Sequence, residues 1–351
     1  MAIEYDVWSF QTVRGDGPEL SAKAVAALDK AKHLKPDIAY IPMAQSFFEN
    51  DIEGKAQLLL KALSLDPNFN EAKRILGIEY RRFGRFAEAQ HYLEELARID
   101  PLNEKSMWYL ANVYRERRML DQAMEIIERA LERNKDESSG NINWRFDQVE
   151  VSYLQSGDRQ SYLDGLKALP NFQENPGLVA WHAIVSRDYP VAREALSSGF
   201  GRVGNLSRTI VRTLLEFISS EEPSEDLARI TKEGMSRLQE SLESNQDAES
   251  DQFSEMAIYL ALLGNREEVE ASVSKTRELT RLDPFDKKNL VQTEFRIAIA
   301  YLVLGDNDKA IETLEAASQV DGPVYLNREL DLWFIFDRLR GNPRFDNLLE
   351  D

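Results

Sequence analysis

The chain has 351 residues and a formal net charge of −18, from 61 acidic against 43 basic side chains, and it contains no cysteine. That balance excludes general binding to a nucleic-acid backbone or to an anionic membrane surface, which both need clustered positive charge. The lack of cysteine excludes disulfides, thiolate metal sites and a thiol nucleophile.

No run of about 20 apolar residues is present to span a bilayer. The opening MAIEYDVWSF lacks the basic-then-apolar order of a secretory signal. A cytoplasmic protein is expected, and the abrupt start fits a piece of a longer chain. The pattern predicts a short helix around Tyr5 to Val13, then a turn at Gly15-Asp16-Gly17-Pro18. The Arg14-Gly15-Asp16 triplet within it reads as coincidence. Ser21 to Lys35 is a predicted helix with Ala24, Leu28 and Ala31 on one face, ended by Pro36. Asp37 to Pro67 reads as a hairpin, with Ala44 and Phe47 on its first helix and Ala56, Leu59, Leu60, Ala62 and Leu63 on its second. Pro42 lies near the start of that first helix, where proline is tolerated.

The clearest pattern follows, in two consecutive copies of one helical hairpin between Asn70 and Lys135. Gly77, Tyr80 and Ala89 recur as Ala111, Tyr114 and Ala123, each 34 residues later. In the first copy Leu76, Gly77 and Tyr80 share a face of one helix, and Ala89, Leu93 and Leu96 share a face of the next. Gly77 and Ala89 let two helices approach closely, Gly84 makes the turn, and Pro101 stops the second helix. One such hairpin cannot bury its apolar face alone, so copies must stack. These residues therefore read as core and not as catalytic groups.

Beyond Lys135 the pattern loosens. Asp136 to Asn143 reads as a loop. Trp144 to Ser156 is a predicted helix with Val149 and Tyr153 at repeat positions, followed by Gly157-Asp158 and a helix over Ser161 to Leu169. Gly177 to Arg187 and Pro190 to Ser198 form a shortened hairpin. Gly199 to Asn205 is a connector, Leu206 to Ser219 an apolar helix, and Ser224 a cap for the next. Two clearer hairpins follow, one on Met256, Ala257, Leu260, Gly264, Val269 and Val273, the other on Ile297, Ala298, Tyr301, Gly305, Ala310, Leu314 and Ala317. Asn327 to Arg340 is a strongly apolar predicted helix, suited to sealing the open end of an array.

These residues resemble the tetratricopeptide repeat family from about residue 20 to about 320, whose 34-residue hairpins carry small and aromatic residues at such places. The ending Asn342-Pro343-Arg344-Phe345 with Leu348-Leu349 is similar to the close of repeat regions in bacterial signalling proteins. The resemblance implies an all-α, right-handed superhelical solenoid of hairpins with a C-terminal capping helix. Three domains are expected: an N-terminal array over 1–135, degenerate helical repeats over 136–250, and C-terminal repeats with the cap over 251–351.

In that family the first helix of each hairpin lines a concave face. Carried onto this chain, the inward positions include Arg74, Arg81 and Arg82 in one copy and Lys105, Trp108, Asn112 and Arg115 in the next. Five cations beside an indole stand out in an acidic chain, and guanidinium forks suit carboxylates. The expected ligand is a protein or peptide, acidic or presenting a C-terminal carboxylate. The competing reading pairs these arginines with Glu71, Glu79, Glu104 and Glu116 on neighbouring turns. A chaperone-tail clamp is unsupported, because Ile75 and Tyr109 stand where it needs polar residues. Phe295, Ile299, Leu302 and Val303 make the later inner positions apolar, and a cover over them is expected.

No reaction is expected, and no cofactor. Gly199 to Gly204 spells GxGxxG without the strand–turn–helix context a nucleotide site requires. Asn205-Leu206-Ser207 reads as a chance glycosylation triplet. His33, His91 and His182 lie in different repeats without ligand spacing, so no metal site is expected. Asp306-Asn307-Asp308 lacks the glycine and glutamate of a calcium loop. Glutamate pairs such as Glu94-Glu95 and Glu267-Glu268 read as solvated faces. Three alternatives to a binding scaffold stay open: a sensory portion of a larger bacterial signalling protein binding a small ligand or peptide, an enzyme with a pocket in the middle region, and a homo-oligomer formed through unsealed repeat ends.

Overall fold

The computed structural model describes residues 26, 28–35, 37–49, 52–133, 142–170, 172–197, 202–203, 206–219, 225–244, 250–282, 287–320 and 326–350. The helix expected at 5–13, the loop at 136–143 and the Ser224 cap fall wholly or largely outside them. The described residues are almost all helical, and they divide into two compact units, one up to Val113 and one from Tyr114.

In the first unit, residues 28–34 are helical but largely exposed, so Ala31 is not core. There follow α1 (Tyr40–Ser46), α2 (Ile52–Leu65), α3 (Asn70–Arg82), α4 (Phe86–Ile99) and the start of α5 (Glu104–Glu116). On α2 the buried side chains are Ala56, Leu59 and Ala62, while Leu60 faces out. Gly77 is required by contact: a Cβ there would stand 2.7 Å from Leu93 Cγ. Ala89, Leu93 and Leu96 are buried against that side of α3, with Tyr80 beside them.

The hairpin turns share one backbone device. At the α3–α4 turn, Gly84 takes φ 71°, its N–H reaches Arg81 O at 3.2 Å, and the Arg85 N–H reaches Tyr80 O at 2.8 Å. This is the Schellman closure, which satisfies carbonyls at a helix end and needs a left-handed residue. It recurs at Gly264 and Gly305. Two more turns have the same bonds with arginine in the left-handed position, Arg118 at φ 59° and Arg187 at φ 63°.

The second unit holds the end of α5, then α6 (Leu120–Arg133), α7 (Ile142–Ser156), α8 (Arg159–Lys167), α9 (Pro176–Val185) and α10 (Tyr189–Ser197). Asp158 and Asn175 cap α8 and α9 through two backbone N–H groups each. The expected connector supplies one strand of a two-residue antiparallel ladder, β1 (Arg202–Val203), which pairs with β2 (Leu206–Ser207) at the start of the predicted helix. Helix α11 (Arg208–Ser219) therefore starts two residues later than its apolar pattern suggests. Helices α12 (Glu225–Ser244), α13 (Ser250–Leu262), α14 (Arg266–Leu282), α15 (Lys287–Val303) and α16 (Asn307–Ser318) complete the hairpins.

The tail is not one helix. It forms α17 (Leu326–Leu332), breaks at Trp333, continues as a 3-10 turn over Phe334–Leu339, and ends in α18 (Pro343–Glu350). The reason lies in the run from Leu332 to Phe336, five apolar side chains that are all buried. A straight helix would turn part of such a run toward water; the break lets every one pack. Trp333 sits edge-on to Trp181 at 5.1 Å and to Phe295 at 6.2 Å, and Phe336 meets Phe295 at 5.0 Å. The apolar positions Phe295, Ile299 and Leu302 are buried within this cluster. The tail also holds the last hairpin, since Arg344 forks onto Glu315 at 2.9 and 2.5 Å. Its other anchors lie much earlier in the chain. Arg187 grips Asp337 through Nε (2.7 Å) and Nη2 (2.8 Å), and Tyr153 donates to Asp331 at 2.9 Å.

Candidate peptide-binding surface

Helix α3 buries Ala72, Lys73, Ile75, Leu76, Gly77 and Tyr80, which leaves Arg74, Ile78, Arg81 and Arg82 on its less covered face. Arg74 is bidentate on Glu71, one turn back. Burial alone would lower its pKa, but the Glu71 carboxylate outweighs it and Tyr109 adds to it, so the guanidinium is held above its ordinary value. Arg81 is half-buried. Arg82 is the most open of the three, at 59% side-chain exposure, and touches Glu79 only at 3.4 Å.

On α5, Lys105 is exposed and makes no hydrogen bond or ion pair among the described residues. Trp108 is half-buried, with its ring edge-on to Tyr109 at 5.1 Å. Asn112 is buried, and its amide donates to Trp108 O at 2.8 Å. Arg115 belongs to the second unit, where it meets Glu150 at 2.6 Å and lies 3.9 Å from Asp147 on α7. The structure therefore places Arg74, Arg81, Arg82, Lys105, Trp108 and Asn112 in the first unit, and ties Arg115 to carboxylates of the second.

Other sequence candidates have plain structural partners. Asp306 caps α16 and pairs with Arg266 at 2.9 Å. Glu95 holds the buried Lys73 at 2.8 Å, a bond that keeps its carboxyl below the usual range. Of Gly199 to Gly204, only Arg202 and Val203 are described, and they form β1. Among the described residues no three metal-ligating side chains gather closely enough to hold an ion, and no helix is long and apolar enough to cross a membrane. Sequence reading missed Arg187, which anchors the tail, and Arg340, which braces the tail from within. The one signal was positional: Arg187 occupies a turn place that glycine fills at Gly84, Gly264 and Gly305.

Residues 80–140 match the family model for the tetratricopeptide repeat. That stretch carries the tetratricopeptide pattern. Solved structures similar to it include TTC0263, a thermophilic tetratricopeptide protein of Thermus thermophilus, at 16% identity over 80% of this chain and all of that one, with a TM-score of 0.26. The tetratricopeptide domain of P58(IPK) is 14% identical over 99% of this chain and 96% of its own, at a TM-score of 0.27. A structure of Naa15/Naa10 bound to HypK-THB matches at 14% identity over 90% of this chain and 59% of that one, at 0.34. The matched residues 80–140 hold both the Gly84 turn and its arginine counterpart at Arg118 in the next tetratricopeptide hairpin.

Proposed function

We propose that this chain is a non-catalytic protein- or peptide-binding scaffold. The binding surface is the less covered face of α3 with the start of α5, namely Arg74, Arg81, Arg82, Lys105 and Trp108. One observation carries the reading: Lys105 stands exposed and, among the described residues, unpaired, three residues from a half-exposed indole, in a chain with a net charge of −18. Arg82, held only weakly by Glu79, adds a second cation that a ligand carboxylate can recruit. Trp108 offers contact area at low entropy cost. The ligand this chemistry suits is an acidic segment or a C-terminal carboxylate.

Titrating acidic peptides against Trp108 fluorescence tests it. A saturable change is expected, weakened about tenfold or more when Lys105→Glu and Arg82→Glu are combined, the loss of two charge-assisted contacts. No spectral change, or equal affinity in the double variant, overturns the surface.

A further inference from the structure

Tyr40, at the head of α1, is 44% exposed, and every other phenylalanine, tyrosine and tryptophan among the described residues is half-buried or buried. The ring is not loose. It rests on the ring of Phe69 at a centroid distance of 4.5 Å, tilted by 55°. Phe69 is the residue before α3, so this contact sets Tyr40 beside the head of that helix. A ring held in this way offers contact area at little further cost in entropy.

Its place in the repeat says what the area is for. Tyr40, Glu71 and Lys105 are each the fourth residue after a proline, Pro36, Pro67 and Pro101. The two residues that follow are buried in all three copies: Ile41 and Pro42, Ala72 and Lys73, Ser106 and Met107. The fourth residue is turned outward in each, so Tyr40 stands at the register of Lys105, and all three lie in the first unit. The chemistry at that register changes from helix to helix. On α5 it is Lys105, exposed and without a hydrogen bond or ion pair among the described residues. On α3 it is Glu71, taken by both forks of Arg74, which leaves that place close to neutral. On α1 it is the ring. Ile78, one helical turn from both Arg74 and Arg82, keeps part of its side chain open on α3 and adds apolar area.

We infer that the ligand of this surface is an acidic segment that also carries an aromatic or aliphatic side chain, and that Tyr40 is the residue that selects it. The inference rests on the surface proposed above and names its ligand more closely. A plain acidic run would be held by Lys105 and Arg82 and would leave Tyr40 in water. A segment with an apolar side chain beside its carboxylates uses the ring as well. Such a contact adds affinity that salt does not screen, whereas exposed charge pairs weaken as ionic strength rises.

The test uses the full chain and two synthetic peptides, read by calorimetry and by Trp108 fluorescence. Both peptides carry a run of glutamates. Serines flank the run in one, and phenylalanines flank it on both sides in the other, so the direction of binding does not matter. Wild type is expected to bind the phenylalanine peptide about tenfold tighter, the effect of one aromatic contact. That advantage should persist at high salt, which screens the charge contribution common to both peptides. Tyr40→Ala should bind the two peptides with equal affinity, and Tyr40→Phe should keep the preference. If Tyr40→Ala does not fold, Tyr40→Gln, whose stem still covers Phe69, should lose the preference in its place. Lys105→Glu should weaken both peptides. Equal binding of the two peptides by wild type, or a preference that survives loss of the Tyr40 ring, overturns the role of Tyr40 and leaves the surface standing. Binding of neither peptide overturns both.

Discussion

The two units solve the same packing problem at different range. The first is held by neighbours in sequence: Leu93 against Gly77, Lys73 on Glu95, Arg74 on Glu71. Its helix ends leave aliphatics in water, as at Leu65 and Ile99, which are 34 residues apart, and at Leu102. The second unit is joined by bonds between residues 144 to 178 positions apart, where Tyr153 and Arg187 meet the tail. An array built from adjacent contacts can lose a part and keep the rest. A unit closed by its own far end must order most of its length before those contacts form. The second unit should therefore unfold as one body, and the first in a more graded way.

Removing the centre of the tail should separate them most sharply. Trp333→Ala is expected to cost the second unit about 3–5 kcal/mol, the range for emptying a buried aromatic site. Urea titration read by far-ultraviolet circular dichroism should then show a second transition at lower denaturant, with the first unit's transition unmoved. A single shared shift would end the comparison.

Next in size is the Arg187–Asp337 fork. Asp337→Asn should cost about 1.5–3 kcal/mol, as for hydrogen bonds to charged groups. The pH dependence has a definite sign. Burial would raise the Asp337 pKa, but Arg187 and then Arg340 outweigh it and hold the carboxyl below its usual value. A group depressed in the folded state stabilises above its unfolded pKa, so this contribution is lost as pH falls below about 4. Acid melting curves should show that loss in wild type and a flatter profile in Asp337→Asn.

In the first unit the matching test is Gly77→Val, whose Cβ would collide with Leu93. The expected cost is about 1–3 kcal/mol from overpacking, confined to the first transition.

The smallest effect comes from the two arginine turns. Arg118→Gly should stabilise by less than about 1 kcal/mol, since glycine adopts the left-handed conformation without the Cβ clash but gives up more chain entropy. Arg187→Gly gains the same relief and loses the tail's anchor, so it should destabilise. Opposite signs at equivalent turns would show that Arg187 is held in its unfavourable conformation by what its side chain grips.

This contrast also explains what the sequence made legible. The 34-residue spacing reports local packing, so the hairpins, Gly77 and Gly84 could be read directly. The pairing of Arg74 with Glu71 and of Arg82 with Glu79 follows the same short-range rule. The return of the tail could not be read that way, because no periodicity links Tyr153 to Asp331. The density of apolar residues from Leu332 to Phe336 signalled burial without naming the partner, and Phe295 and Ile299 signalled a cover without naming its source. Arg115 turned to Glu150 for the same reason: acceptors on another element leave no mark in the local pattern.

One atom of the tail carries a consequence of its own. The Trp333 indole nitrogen is fully buried and has no acceptor among the described residues. Its proton can reach water only when the surrounding rings part, so its exchange with deuterium is a clock set by how often that happens. Read by nuclear magnetic resonance, that one proton would time the lifting of the C-terminal segment without a label or a substitution.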